Sequence, residues 1–182
     1  MISYISSSAV LENNVSVGKF CIIEDNVFIG SGVVLEDYSI IKSGSIIGSM
    51  TRVGTYSKIG ENVKIGSGCS FTSYCEIRDN CQLGDYVMMG SRCTLSAGTI
   101  IEDNVVMKYG FVVTDTPDLK RNHEKKAGIL KEGSRFGANV VIMPAVTVGE
   151  NSEVGACSQV RKDIPCNQVW FGVPAKYYRD VS

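Results

Sequence analysis

Stepping six residues at a time from Ile5, the chain meets an apolar side chain at every step as far as Val113: Ile5, Leu11, Val17, Ile23, Ile29, Leu35 and on through Ile101 and Met107. With 44% hydrophobic residues overall, chance does not produce so long an unbroken run. A second column stands two residues ahead of the first. It holds small or β-branched residues such as Val15, Cys21, Ser45, Thr51 and Cys75, with Phe111 the exception. Glycine often follows the apolar residue, as at Gly18, Gly30, Gly48, Gly54 and Gly60. A period of six matches neither an amphipathic helix nor an ordinary strand. It matches short extended segments joined by tight corners, because residues two apart in an extended segment face the same way. Each hexapeptide then turns one small and one large side chain inward. Stacked segments pair with those above and below, as in a parallel β-helix.

The pattern lapses after Val113 and resumes at Leu130, Phe136, Ile142, Val148, Val154 and Val160. The seventeen residues from Val113 to Leu130 are not a multiple of six, so chain is looped out between them. The expected organisation is one domain over 1–182. It has coils at 3–113 and 130–165, an inserted loop at 114–129 and a C-terminal cap at 166–182. The loop is rich in charge (Asp115, Asp118, Lys120, Arg121, Glu124, Lys125, Lys126), contains Pro117, and holds His123, the one histidine in the chain. Long loops of this kind in a compact domain are usually functional or disordered.

Composition removes several classes. The net charge is −1, with 18 basic and 19 acidic residues, which gives no footing for a nucleic acid or an acidic membrane surface. The N-terminus has neither a basic segment nor a continuous apolar one, and no apolar run nears the ~20 residues that span a bilayer. A complete cytoplasmic protein is expected. Seven cysteines would suggest disulfides in a secreted chain, but five of them (Cys21, Cys69, Cys75, Cys81, Cys93) fall in the small inward column. Their expected role is packing, and no metal is expected, because zinc ligands come at closer spacings. Cys157 and Cys166 stay open. A further ladder appears at outward corners, eighteen residues per step: Phe20, Tyr38, Tyr56, Tyr74, then Arg92 and Gly110. It can pack subunits together. Alternatively Tyr74 and its neighbours, with Arg78 or Arg92, can bind a substrate by stacking on a base while arginine meets a diphosphate.

These columns resemble the hexapeptide-repeat acyltransferases, and the likeness covers about nine tenths of the chain. The most specific stretch, FGANVVIMPAVTVGENSEVGACSQVRKDIPCNQVWFGVPAKYYR at 136–179, is similar to the C-terminal signature of acetyl-CoA-dependent members. The resemblance implies an all-β fold: a left-handed parallel β-helix of stacked triangular coils, with one protruding loop and a short C-terminal cap. Eight or so coils would give a prism of roughly 40 Å. It also implies a homotrimer with acetyl-CoA in the groove between two prisms. Backbone groups of Ala138 and Ala156 would meet the pantetheine arm. Arg161, Lys162 and Arg179 would meet the polyanionic end, although members often have threonine where Arg161 stands.

The loop and its flanking words are most similar to members that N-acetylate nucleotide-linked (dTDP or UDP) amino sugars for surface glycans. Transfer to an amine needs a neutral, well-placed nucleophile, donors for the oxyanion and a proton acceptor. His123 is the expected base, with Asp115, Asp118 or Glu124 to orient it. An amine that loses its proton after addition could instead use Asp115 or the departing thiolate. Relatives often carry their histidine on the strand before the loop, whereas here that region reads FVVTDTP. A sugar O-acetyltransferase is the nearest rival, and a non-catalytic β-helix scaffold is the alternative from another class.

Overall fold

The hexapeptide becomes a two-residue strand followed by a corner. In the computed structural model, which describes residues 2–116 and 126–182, pairs such as Ile22–Ile23, Phe28–Ile29 and Val34–Leu35 are strands. The first residue of each pair faces out and the second faces in. Partners lie eighteen residues apart in parallel register, for example Ile23 with Ile41 and Ile59 with Ile77. Three strands make one turn, and the turns build three flat faces. The first face has nine strands, the second eight and the third ten. Among the described residues there is no helix. The molecule is an all-β parallel solenoid of about nine turns, consistent with the left-handed winding expected.

Corners close because one residue per hexapeptide adopts the left-handed backbone conformation. Asn14, Phe20, Asn26, Gly32 and Tyr38 have φ of 60°, 57°, 56°, 69° and 60°. Asparagine and glycine enter that region readily, whereas a bulky side chain there costs about 1–2 kcal/mol. The glycine just after the inward apolar residue has a different reason. A Cβ on Gly48 would lie 2.5 Å from the carbonyl carbon of Gly66 in the next turn, so stacked corners leave no room for a side chain.

The interior is one column of apolar side chains, with Ile23, Ile41, Ile59, Ile77 and Leu95 fully buried down the first face. In the first turn Ile5 is 44% exposed, and burial is complete from Ile23 onward. The small column is buried too, and it has a second duty. Ser45 Oγ donates to the carbonyl of Gly60 at 2.7 Å, fifteen residues on. Cys69, Cys75, Cys81 and Cys93 do the same to Gly84, Gly90, Ser96 and Lys108 at 3.2–3.3 Å. The column therefore accepts Ser, Thr or Cys because each offers a short donor to a carbonyl that the ladder leaves spare. Burial pushes the thiols of Cys69, Cys81 and Cys93 up to about 11 and that of Cys75 to about 12.

The insertion lies at the corner joining the first face to the second, between Val112–Val113 and Ile129–Leu130. The strand resumes at Ile129, inside the range expected for the loop. Ile101 pairs with Leu130, a separation of 29 residues instead of 18, so eleven residues are inserted. The neck is closed by Lys126 N donating to Asp115 O at 2.8 Å, and the ladder continues through Ala145 N to Lys126 O. At the other end, Gln168–Gly172 pairs with Glu153–Val154 on the third face and turns back as Ala175–Asp180, through a cis Val173–Pro174 bond. This hairpin buries Trp170, which is 7% exposed.

Candidate active site along one edge of the prism

The corners stack into three edges. One edge, where the third face turns into the first, has the ladder Phe20, Tyr38, Tyr56, Tyr74, Arg92, Gly110, Asn139 and Cys157, all with left-handed φ. Its four rings stack with centroids 4.8, 4.6 and 5.2 Å apart and planes within 13°. Above Tyr74 the stack gives way to a cleft of about 740 Å³ lined by Ser73, Tyr74, Ser91, Arg92, Lys108, Tyr109 and Asn139. A smaller groove of about 510 Å³ adjoins it on the third face, between Met88, Val106, Lys108, Arg135, Phe136, Glu153 and Val169. Lys108 borders both. Arg135 faces Glu153 at 3.6 Å, whereas Arg92 and Lys108 form no ion pair among the described residues.

The backbone of this edge changes character along its length. Two residues after each inward apolar residue, the corner has an amide that points outward. Lower on this edge a carboxylate from an adjacent turn caps two such amides, Asp37 accepting from Lys19 N at 2.7 Å and Glu36 from Thr55 N at 3.0 Å, while Asp37 N between them meets no acceptor among the described residues. On the edge between the second and third faces Asp85 accepts from Ser67 N at 2.7 Å and Asp103 from Asp85 N at 2.8 Å. From Ser73 upward the acids disappear from the capping positions. The amides of Ser73, Ser91, Tyr109, Ala138 and Ala156 meet no acceptor among the described residues. Unpaired amides at a surface are ready donors to a ligand. This row is not among the expected site features. Its signal was readable as the loss of Asp and Glu from two corner columns of one edge.

The expected site residues distribute as follows. Tyr74, Arg92, Ala138 and Ala156 lie on this edge. Arg78 does not: it follows Ile77 on the first face, at the edge leading to the second. Arg161 and Lys162 follow Gln159–Val160 on the first face in the same way. Arg161 Nε donates to Gln159 at 2.6 Å, and Lys162 Nζ lies 5.3 Å from the centre of the Trp170 ring. Arg179, on the outer strand of the hairpin, donates to the Asp180 carbonyl at 2.8 Å. Asp115 stands at the neck of the insertion, where its side chain accepts from Thr116 Oγ1 at 2.8 Å. His123, with Asp118 and Glu124, lies outside the described residues. Cys157 and Cys166 are exposed. Among the described residues no cluster of three or more His, Cys, Asp and Glu side chains could hold a metal ion.

Comparison with known proteins agrees with this architecture. A family model described as the hexapeptide repeat of succinyl-transferase matches residues 21–49, 79–115 and 132–158, about half of the chain. The galactoside O-acetyltransferase of Escherichia coli is 37% identical over 94 residues, 49% of this chain and 44% of its own length. That of Lactococcus lactis is 41% identical over 70 residues, 37% of this chain and 33% of its own. The chain thus matches less than half the length of these curated relatives. Among solved structures, the UDP-N-acetylglucosamine O-acyltransferase of Moraxella catarrhalis superposes with a TM-score of 0.71 over 97% of this chain and 72% of its own, at 20% identity. A serine acetyltransferase in complex with CoA gives 0.51 over 57% of this chain and 41% of its own, at 23% identity. The chain belongs to the hexapeptide-repeat acyltransferase family.

Proposed function

We propose that the protein transfers acetyl from acetyl-CoA to the amino group of a dTDP- or UDP-linked amino sugar, as a cytoplasmic homotrimer serving surface-glycan synthesis. The observation that most supports the reading is the row of uncapped amides from Ser73 to Ala156. Its upper end, Ala138 and Ala156, lies within the stretch that resembles the signature of acetyl-CoA-dependent relatives. Donors one turn apart, about 4.8 Å, suit the amide carbonyls of an extended pantetheine arm. Lys162, Arg161 and Arg179 are exposed and would answer the phosphates. Within one prism, Arg161 and Lys162 are separated from Ala138 and Ala156 by the width of the first face. The same is true of the loop neck. A single protomer therefore does not assemble the expected set, and the reading needs a neighbouring copy to bring loop and cations to the cleft.

In this reading the chain's own contribution is positional. The edge amides hold the thioester in place, and His123, with Asp115 at the base of its loop, takes the proton from the nucleophile. His123→Ala is expected to lower kcat by ~10²-fold, the usual worth of a positioned base. An unchanged kcat would remove it from the mechanism. The second reading, transfer to a sugar hydroxyl, is favoured by the galactoside O-acetyltransferases among the relatives. Thiol release from acetyl-CoA decides between them, measured against UDP- and dTDP-linked 3-amino and 4-amino sugars with hydroxyl-only counterparts. Release with an amine and none with its hydroxyl partner supports N-acetylation; the reverse moves the protein to the O-acetyl class. No release and no coenzyme A binding would leave a scaffold.

A further inference from the structure

We propose that the lower part of the edge cleft is a phosphate subsite for the acceptor. Arg92 and Lys108 would supply the charge, and the amides of Ser73, Ser91 and Tyr109 the directed donors. The proposal rests on the reading above and adds what recognises the acceptor.

Charge is the first argument. The cleft of about 740 Å³ is lined by two cationic side chains and by no carboxylate. Neither cation has an ion-pair partner among the described residues, although Lys42, Arg52, Lys131 and Arg135 elsewhere each have one. Cations grouped without acids, around unpaired amides, make a place for an anion.

Backbone conformation is the second. Arg92 has φ 62° in a ladder whose next two members are Gly110 and Asn139, residues that adopt this conformation at little cost. An arginine there gives up about 1–2 kcal/mol of stability. Its side chain makes no hydrogen bond, ion pair or ring contact among the described residues that would return it. Lys108 is similarly out of pattern. It occupies the corner position that is glycine at Gly54, Gly90, Gly137 and Gly155 of the same edge, and it stands between the cleft and the third-face groove.

Position along the edge is the third. The upper amides, at Ala138 and Ala156, have neutral small neighbours, which suits a pantetheine chain. The lower ones lie among Arg92, Lys108 and the hydroxyls of Tyr74 and Ser91, which suits phosphoryl oxygens.

The alternative source of phosphate is coenzyme A itself, and the test separates the two. Binding of inorganic pyrophosphate, UDP and dTDP is measured calorimetrically for the full chain and for Arg92→Gly, Lys108→Gln and, on the second face, Lys64→Gln. Arg92→Gly relieves the left-handed corner, so a loss of binding in it cannot be ascribed to unfolding. Thermal melts check Lys108→Gln. Each cleft variant is expected to weaken pyrophosphate and nucleoside diphosphate binding by about tenfold, the worth of one charge-assisted contact. Lys64→Gln should leave it unchanged. With an active acceptor, KM for that acceptor should rise about tenfold in the cleft variants while KM for acetyl-CoA holds. Three outcomes overturn the proposal: no pyrophosphate binding, equal binding by wild type and cleft variants, or a rise confined to KM for acetyl-CoA. Pyrophosphate binding that needs Arg92 and Lys108 in a protein that acetylates nothing would keep the subsite and sink the enzymatic reading.

Discussion

Replacing Tyr56 by alanine should destabilise the protein more than replacing it by glycine, against the usual expectation that glycine is the worse residue. Tyr56 stacks on Tyr38 at 4.6 Å and on Tyr74 at 5.2 Å while its backbone has φ 59°. Either truncation removes two ring contacts, each worth about 0.5–1.5 kcal/mol, so both lose roughly 1–3 kcal/mol. Alanine keeps a Cβ in the left-handed corner. Glycine removes it and recovers about 1–2 kcal/mol. The difference between the variants should therefore be about 1 kcal/mol or more in favour of glycine, with asparagine between or equal to it, as Asn62 and Asn80 tolerate φ of 54° and 60°. Thermal and urea unfolding at one fixed protein concentration measure the order. Tyr56→Ala as stable as Tyr56→Gly would refute the claim that the corners are held at a steric cost. The stack also supports the cleft, since Tyr74 is both its top ring and part of the lining. Both truncations should then raise KM for the acceptor and leave KM for acetyl-CoA alone.

Two glycines should fail for different reasons. Gly48→Ala brings a Cβ to 2.5 Å from backbone in the next turn and should cost about 2 kcal/mol or more, whereas Gly98→Ala, with φ 76° and nothing within 4 Å, should cost about 1 kcal/mol and Gly98→Asn nearly nothing. Equal melting temperatures for the two alanine variants would contradict the stacking account. Iodoacetamide at pH 8 should add two groups to the native chain, at the exposed Cys157 and Cys166, and seven after denaturation; faster native labelling of Cys75, whose thiol is pushed up to about 12, would count against its buried, hydrogen-bonded state. Glu36 caps Thr55 and meets Arg52, and these hydrogen bonds, Arg52 first, hold its carboxyl below the ordinary glutamate range. Its contribution is then complete above that range and lost as pH falls through the lowered value. Wild type should lose melting temperature on acidification below the ordinary glutamate range more steeply than Glu36→Gln, and parallel slopes would deny the carboxylate that role.

The fold was legible because a six-residue period states its own geometry. The columns at Ile23, Ile41 and Ile59, and at Cys21, Ser39 and Ser57, became the two inward rows without a slip in register. The interruption was legible too, since the turn length shows eleven extra residues as a break in phase. The site was harder to read because a triangular prism sends neighbouring residues in sequence to different edges. Tyr74 and Arg78 are four residues apart, yet a corner and a strand separate them, and they leave the prism on different edges. Arg92, a full turn from Tyr74, shares its cleft. On a solenoid, closeness follows multiples of eighteen, so of the two arginines expected near Tyr74, Arg92 lines its cleft and Arg78 does not.

The same arithmetic shows how, in the proposed reading, an acetyl carrier and an anionic acceptor would share one edge without interfering. The main-chain donors along it are identical from turn to turn, because every corner has the same backbone. What differs is the residue that caps or leaves each donor. Acids at Asp37 and Glu36 close the amides of Lys19 and Thr55 in the first turns and leave only that of Asp37 open between them. Their absence opens the amides from Ser73 upward, and cations at Arg92 and Lys108 set the sign of the lower part. A ligand site on this fold is thus written by deletion of caps as much as by addition of side chains. One consequence can be checked directly. Restoring an acid at the capping position, as Ser91→Asp, should close the amide of Ser73 in the way Asp37 closes that of Lys19. It should leave the fold intact and also cancel one positive charge of the cleft. Acceptor affinity should fall further than in Arg92→Gly, while thermal stability holds or rises. A Ser91→Asp protein with unchanged acceptor KM would mean that neither the amide row nor the cations of this cleft touch the substrate.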